Sequence, residues 1–127
     1  MSFIPAARNT VARLAANDPL RITFEFLFNH QPPAIGPAHS VPIMEIIDHL
    51  AGRGVVQTYN GFQQGLLNQT RVSQDPIFIG SGARGCYLID TIDHARAALH
   101  FYQVKIDKMV HNRDNLVRQA LRVGWQL

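Results

Sequence analysis

Residues 41–90 read VPIMEIIDHLAGRGVVQTYNGFQQGLLNQTRVSQDPIFIGSGARGCYLID, and the fold turns on how this stretch is divided. Ile43, Ile46, Ile47 and Leu50 recur at helical spacing and make one apolar stripe, with Glu45, Asp48 and His49 mostly off it. Ser40 stands at the cap position with Pro42 in the first turn, and Gly52 and Gly54 supply the stop. Val55 and Val56 then lead into the core. A second helix starts at Thr58 or at Asn60, the latter with Gln63 at capping-box spacing. Tyr59, Phe62, Leu66 and Thr70 share its inner face. Asn60, Gln64, Asn68 and Arg71 share the outer one, which Gly61 and Gly65 leave shallow. Residues 73–76 have turn composition, and residues 77–79 and 86–89 read as strands on either side of a glycine-rich turn. The order is helix, turn, helix, hairpin.

Upstream, Ala7, Val11, Leu14 and Ala15 predict a helix over about residues 6–16. Asp18-Pro19 is a helix start, and it decides the reading of residues 20–29, whose apolar residues fit both helical and strand periods. That segment is apolar nearly all round and belongs in the core. Residues 30–40, with Pro32, Pro33, Gly36 and Pro37, form a connection inside one fold. Downstream, Asp90 or Thr91 caps a helix running to about Val123. Ile92, Leu99, Ile106, Arg113 and Ala120 fall seven apart, as do Ala95, Tyr102, Met109, Leu116 and Val123, an a/d heptad pattern broken only by Arg113. Such a helix spans roughly 50 Å, longer than a small domain, so part of its stripe needs another surface. A second copy is the expected one, through Leu99, Tyr102, Ile106, Met109 and Leu116. The alternative is packing back on residues 6–28 of the same chain.

The run MEIIDHLAGRGVVQTYNGFQQGLLNQTR followed by IFIGSGARGCYLID resembles the winged helix-turn-helix superfamily of bacterial DNA-binding proteins in its architecture. The expected fold class is therefore mainly α with a small β-hairpin wing and a long coiled-coil-like C-terminal helix. Residues 1–90 make the winged domain, with the helix-turn-helix at about 41–71 and the wing at about 77–90, and residues 91–127 make the dimerisation helix. The resemblance implies that the second helix enters the major groove of double-stranded DNA. Asn60, Gln64 and Asn68 suit adenine there, and Arg71 suits guanine. Thr58 would meet phosphate at the helix start, with Arg84 as the wing contact.

Composition agrees with a DNA partner without demanding one. The 127 residues carry a net charge of +3, and residues 51–89 hold Arg53, Arg71 and Arg84 against Asp75 alone. At 46% hydrophobic and 17% charged the chain is globular rather than disordered. Its single cysteine, Cys86, excludes an internal disulfide and a cysteine-based zinc site, and a reducing cytoplasm is the expected setting. No membrane span, secretory signal or transit peptide is expected. Gly80, Gly82 and Gly85 match the spacing of a dinucleotide fingerprint. A strand rather than a helix follows them, so no nucleotide, cofactor or metal is expected. No nucleophile elbow, P-loop or paired-carboxylate pattern appears, which argues against an enzyme. The expected function is a dimeric transcriptional regulator that binds specific DNA. The alternative is an adaptor that uses the same surfaces for protein contacts only.

Overall fold

A computed structural model describes residues 2–72 and 76–127, with Arg71 and Val72 as helix backbone alone. Asp18 caps α2 (Pro19–Asn29) as its place before a proline predicts: its carboxylate accepts the Leu20 N–H at 2.9 Å. Leu20, Ile22, Phe24 and Leu27 of this helix are buried. Before it, α1 spans Ile4–Ala12, starting and ending earlier than its apolar spacing predicts. Its start is capped from a distance, because Asp90 Oδ1 accepts the amides of Phe3 and Ile4 at 2.9 Å. Beyond its end, the Arg21 guanidinium takes the Leu14 carbonyl at 2.7 Å, which a longer helix would have passed to its own fourth following amide.

After a 3-10 turn at Pro37–His39 comes α3 (Ile43–Gly52), which buries Ile43, Ile46, Ile47 and Leu50. Ser40 is not its cap. The Ser40 hydroxyl donates to the Pro37 carbonyl at 2.8 Å, and Pro42 occupies the cap position with no side-chain bond. The helix stops where Gly54 adopts φ +82°, and the Gly54 and Val55 amides donate to the Ala51 and Leu50 carbonyls. This closing motif turns Val55 towards the core and Val56 away, leaving Val56 88% exposed rather than buried.

The second helix is one continuous run: α4 (Tyr59–Gly61), a π-helical stretch (Phe62–Leu66) and α5 (Leu67–Val72). Thr58 caps it by accepting the Gly61 N–H at 2.9 Å, so Asn60 lies inside the first turn. Phe62, Leu66, Leu67 and Thr70 are buried. Tyr59 is 48% exposed and not on the inner face, because the wide π turn that begins at Phe62 takes the first turn out of phase.

The hairpin strands β1 (Ile79–Gly82) and β2 (Gly85–Leu88) pair antiparallel with Ile79 opposite Leu88, joined by Ala83 and Arg84 alone. The strands therefore take in glycines that read as a loop. Residues 73–75 of the expected turn before them lie outside the described residues. Chain on both sides of the 3-10 turn bridges to the free edge of β2. Val41 and Cys86 exchange backbone hydrogen bonds at 2.8 and 2.9 Å, and Gly36 and Leu88 bond to Leu88 and Ala34 carbonyls respectively. This approach is so close that a Cβ on Gly85 would stand 1.9 Å from the Val41 carbonyl oxygen. Cys86 and Leu88 face the main core, while Tyr87 and Ile89 face the other way.

That outer face is covered by α6 (Ile92–Arg122), capped by Thr91 through the His94 N–H at 3.3 Å. Ala98 and Ala95 pack on Tyr87 and Ile89. Small residues are needed there for the helix to lie close on the hairpin. Further along, Leu99, Tyr102, Ile106, Met109 and Leu116 are exposed rather than folded back on residues 6–28. The protein is thus mainly helical, with a two-stranded antiparallel sheet and a long last helix.

Candidate nucleic-acid interface

Of the residues expected to face DNA, Gln64, Asn68 and Arg84 line two clefts that share Gln63. Gln64 and Asn68, exposed on the outer side of the second helix, line a groove of about 470 Å³ with Gln63, Leu67 and Tyr102 of α6. Arg84, exposed at the hairpin tip, lines a cleft of about 340 Å³. Its other walls come from the start of α3 (Pro42, Ile43, Met44), from Tyr59 and Gln63, and from Phe101 and Lys105 of α6. Gln63 lines both, so helix face and hairpin tip border one concave surface. Thr58 and Asn60 are exposed at the start of the same helix, where Thr58 Oγ1 is engaged in the cap. The side chain of Arg71 lies outside the described residues.

Electrostatically the surface is sparse but one-signed. Among the described residues, the cations lining the two clefts are Arg84 and Lys105, and no acid lines either. Lys105 Nζ sits 4.3 Å from the centre of the Phe101 ring, a contact that holds the ammonium at the cleft wall. Tyr59 and Phe101 add apolar walls. Asp90 and His30, whose pKa values are displaced, hold the scaffold instead: Asp90 follows β2 at the end away from the tip, and His30 pairs with Glu45 of α3.

Tyr59, Gln63, Phe101 and Lys105 are among the lining residues that the sequence does not mark as site residues. The spacing predicts Tyr59 on the inner face of its helix, and the π turn instead leaves it at the cleft. Lys105 and Phe101 reach the cleft only because α6 runs along the hairpin towards its tip. Gln63 adjoins Gln64 in a run of two amides, and that pair was the one available hint.

Among the described residues no group of three or more His, Cys, Asp or Glu side chains is placed to hold a metal ion, and no helix is long and apolar enough to cross a membrane. Cys86 is fully buried, with Ser81 Oγ 4.0 Å from its sulfur. No family model, curated protein or solved structure matches the chain.

Proposed function

We propose that this chain is a DNA-binding protein of the winged helix-turn-helix type, acting as a homodimer and regulating transcription. The observation that carries the reading is the joining of two features on one concave surface. One is the amide-bearing face of the second helix, with Gln64 and Asn68. The other is the hairpin tip with Arg84. The isolated bridges from Ile35 and Val41 to the free edge of β2, one on each side of the 3-10 turn, also fit a wing edged by a further piece of chain. Amides and a guanidinium match the edges of bases in the major groove, and cations at the rim neutralise phosphate. Arg84 and Lys105 serve the second role.

An adaptor reading is favoured by exposed apolar residues in the cleft wall, Met44 and Tyr59. A fluorescence-anisotropy titration of labelled genomic duplex against salt separates the two. Binding whose affinity falls steeply with salt, with Arg84→Ala weakening it on all sequences and lowering the salt slope by about one, supports DNA. Binding that is absent near ~100 mM salt at micromolar protein supports the adaptor.

A further inference from the structure

Groove contacts by Gln64 and Asn68 leave the apolar part of the adjoining cleft without a task. Tyr59 and Met44, 48% and 54% exposed, stand in its wall, and the half-buried Phe101 lines it too. Paired bases offer the major groove only their edges, since each ring face is covered by the next pair in the stack. A side-chain ring in the cleft wall therefore has nothing to lie against in an intact duplex. An unpaired base presents its π face, and an aromatic side chain laid on it replaces the lost stacking. The cleft is also of a size for one such unit. Its volume is about 340 Å³, at the lower end of small-ligand sites, which run to roughly 300–1,000 Å³.

We propose that this cleft holds one unpaired nucleotide of the bound DNA, with its base on Tyr59 and its phosphate on Arg84 and Lys105. Charge supports the assignment. Among the described residues the cations lining the cleft are Arg84 and Lys105, and no acid lines it, which suits the negative charge of a phosphate. Lys105 Nζ stands 4.3 Å from the centre of the Phe101 ring, so Phe101 places the ammonium and forms a side wall, while Tyr59 is left as the platform. Position supports it as well. Gln63 borders both this cleft and the groove of Gln64 and Asn68. Its amide offers a donor and an acceptor to the edge of a base. A base held there lies next to the pairs that Gln64 and Asn68 meet. Stacking tolerates every base, so the cleft selects for structure rather than for sequence. It favours DNA whose base is already out of the stack, because extruding a paired one costs free energy.

The inference rests on the DNA reading above, and its test separates the two. The full chain is titrated by fluorescence anisotropy with a labelled duplex and with the same duplex carrying one extra, unpaired adenine. The unpaired adenine tightens binding about tenfold. Tyr59→Ala removes that preference and leaves the affinity for the paired duplex unchanged, whereas Tyr59→Phe keeps the preference. Equal affinity of the wild type for the two duplexes overturns the inference and leaves the DNA reading in place. A preference that survives in Tyr59→Ala does the same, because the flexibility of the bulged duplex then accounts for it. Binding to neither duplex overturns the DNA reading, and the inference with it. A second measurement needs no variant. With 5-iodouracil in place of the unpaired adenine, irradiation of the complex should crosslink the base to Tyr59 or Phe101, read by mass spectrometry of the peptides. Crosslinks confined to residues outside the cleft overturn the proposal.

Discussion

Asp90 shows how one side chain ties the two ends of the domain together. Its carboxylate accepts from the Ser2 hydroxyl and from the Phe3 and Ile4 amides, so the first helix starts on a residue that follows the last strand. The Ser2 hydrogen bond, with the Ile4 and Phe3 amides adding to it, outweighs partial burial and lowers the Asp90 pKa. A depressed folded-state value means the stabilisation is fully present above the unfolded carboxyl value of ~3.9 and is lost as pH falls through the folded value. Asp90→Ala should therefore cost about 1–2 kcal/mol at neutral pH, read as a lower urea midpoint, and the deficit should shrink in acid. A deficit that persists unchanged at low pH contradicts the role. His30 has the opposite sign. Its ring nitrogens stand 2.8 Å from Glu45 Oε1 and 3.2 Å from the Pro32 carbonyl oxygen, both acceptors, so the protonated ring can donate to both. The Glu45 hydrogen bond, against some desolvation, raises the His30 pKa. This stabilisation is present below ~6.5 and lost as pH rises through the folded value. In an NMR titration His30 should have a midpoint above 6.5 that falls in Glu45→Gln, at a stability cost under ~1 kcal/mol because the pair is at the surface. A wild-type midpoint below that of an ordinary histidine contradicts it.

At the scale of elements, what was legible in the sequence is what is local. The caps at Asp18, Thr58 and Thr91, the stripe of α3, the stop at Gly54 and the length of α6 all depend on residues within one or two turns. What was not legible depends on contacts between distant parts. The Asp90 cap joins residues 86 apart. Gly80 and Gly85 read as part of a flexible turn, yet Gly80 lies in the strand under the Tyr87 ring and Gly85 against Val41, so the missing side chains of these two serve close approach rather than looseness. The π stretch changes the phase of the helix after its first turn, and Tyr59 lines the cleft rather than the expected core. Of the candidate site, the helix face and hairpin tip were named from sequence, while the contribution of α6 followed only from its docking on the hairpin. In α6, Ile106 and Met109 are exposed, Met109 at 71%, so they do not hold the single chain together. Ile106→Asp with Met109→Asp should leave helicity by circular dichroism unchanged while reducing the mass to that of a monomer, because the added charges are buried only in the pair. Loss of helicity, or a mass unchanged from a dimeric wild type, contradicts this account.

For the whole molecule, the hairpin is the element on which the others meet. One face of it closes the core over α2 and α3, the other seats α6, and its tip projects Arg84 beside the second helix. A single docked helix therefore does two things: Phe101 and Lys105 complete the cleft, and an apolar stripe that includes Ile106, Met109 and Leu116 stays exposed along it. A dimer matters to the proposed function because one helix and one tip make few base contacts, and two sets are needed for tight, site-specific binding. The central claim is that duplex DNA is held by the concave surface between the hairpin tip and the second helix. It is tested most directly by following backbone amide shifts in a 15N-labelled protein as a bound genomic duplex is added. The account predicts shifts concentrated at residues 58–68 and 83–85 and at Lys105. Shifts confined to α6 beyond Met109, or to α1 and α2, would contradict it.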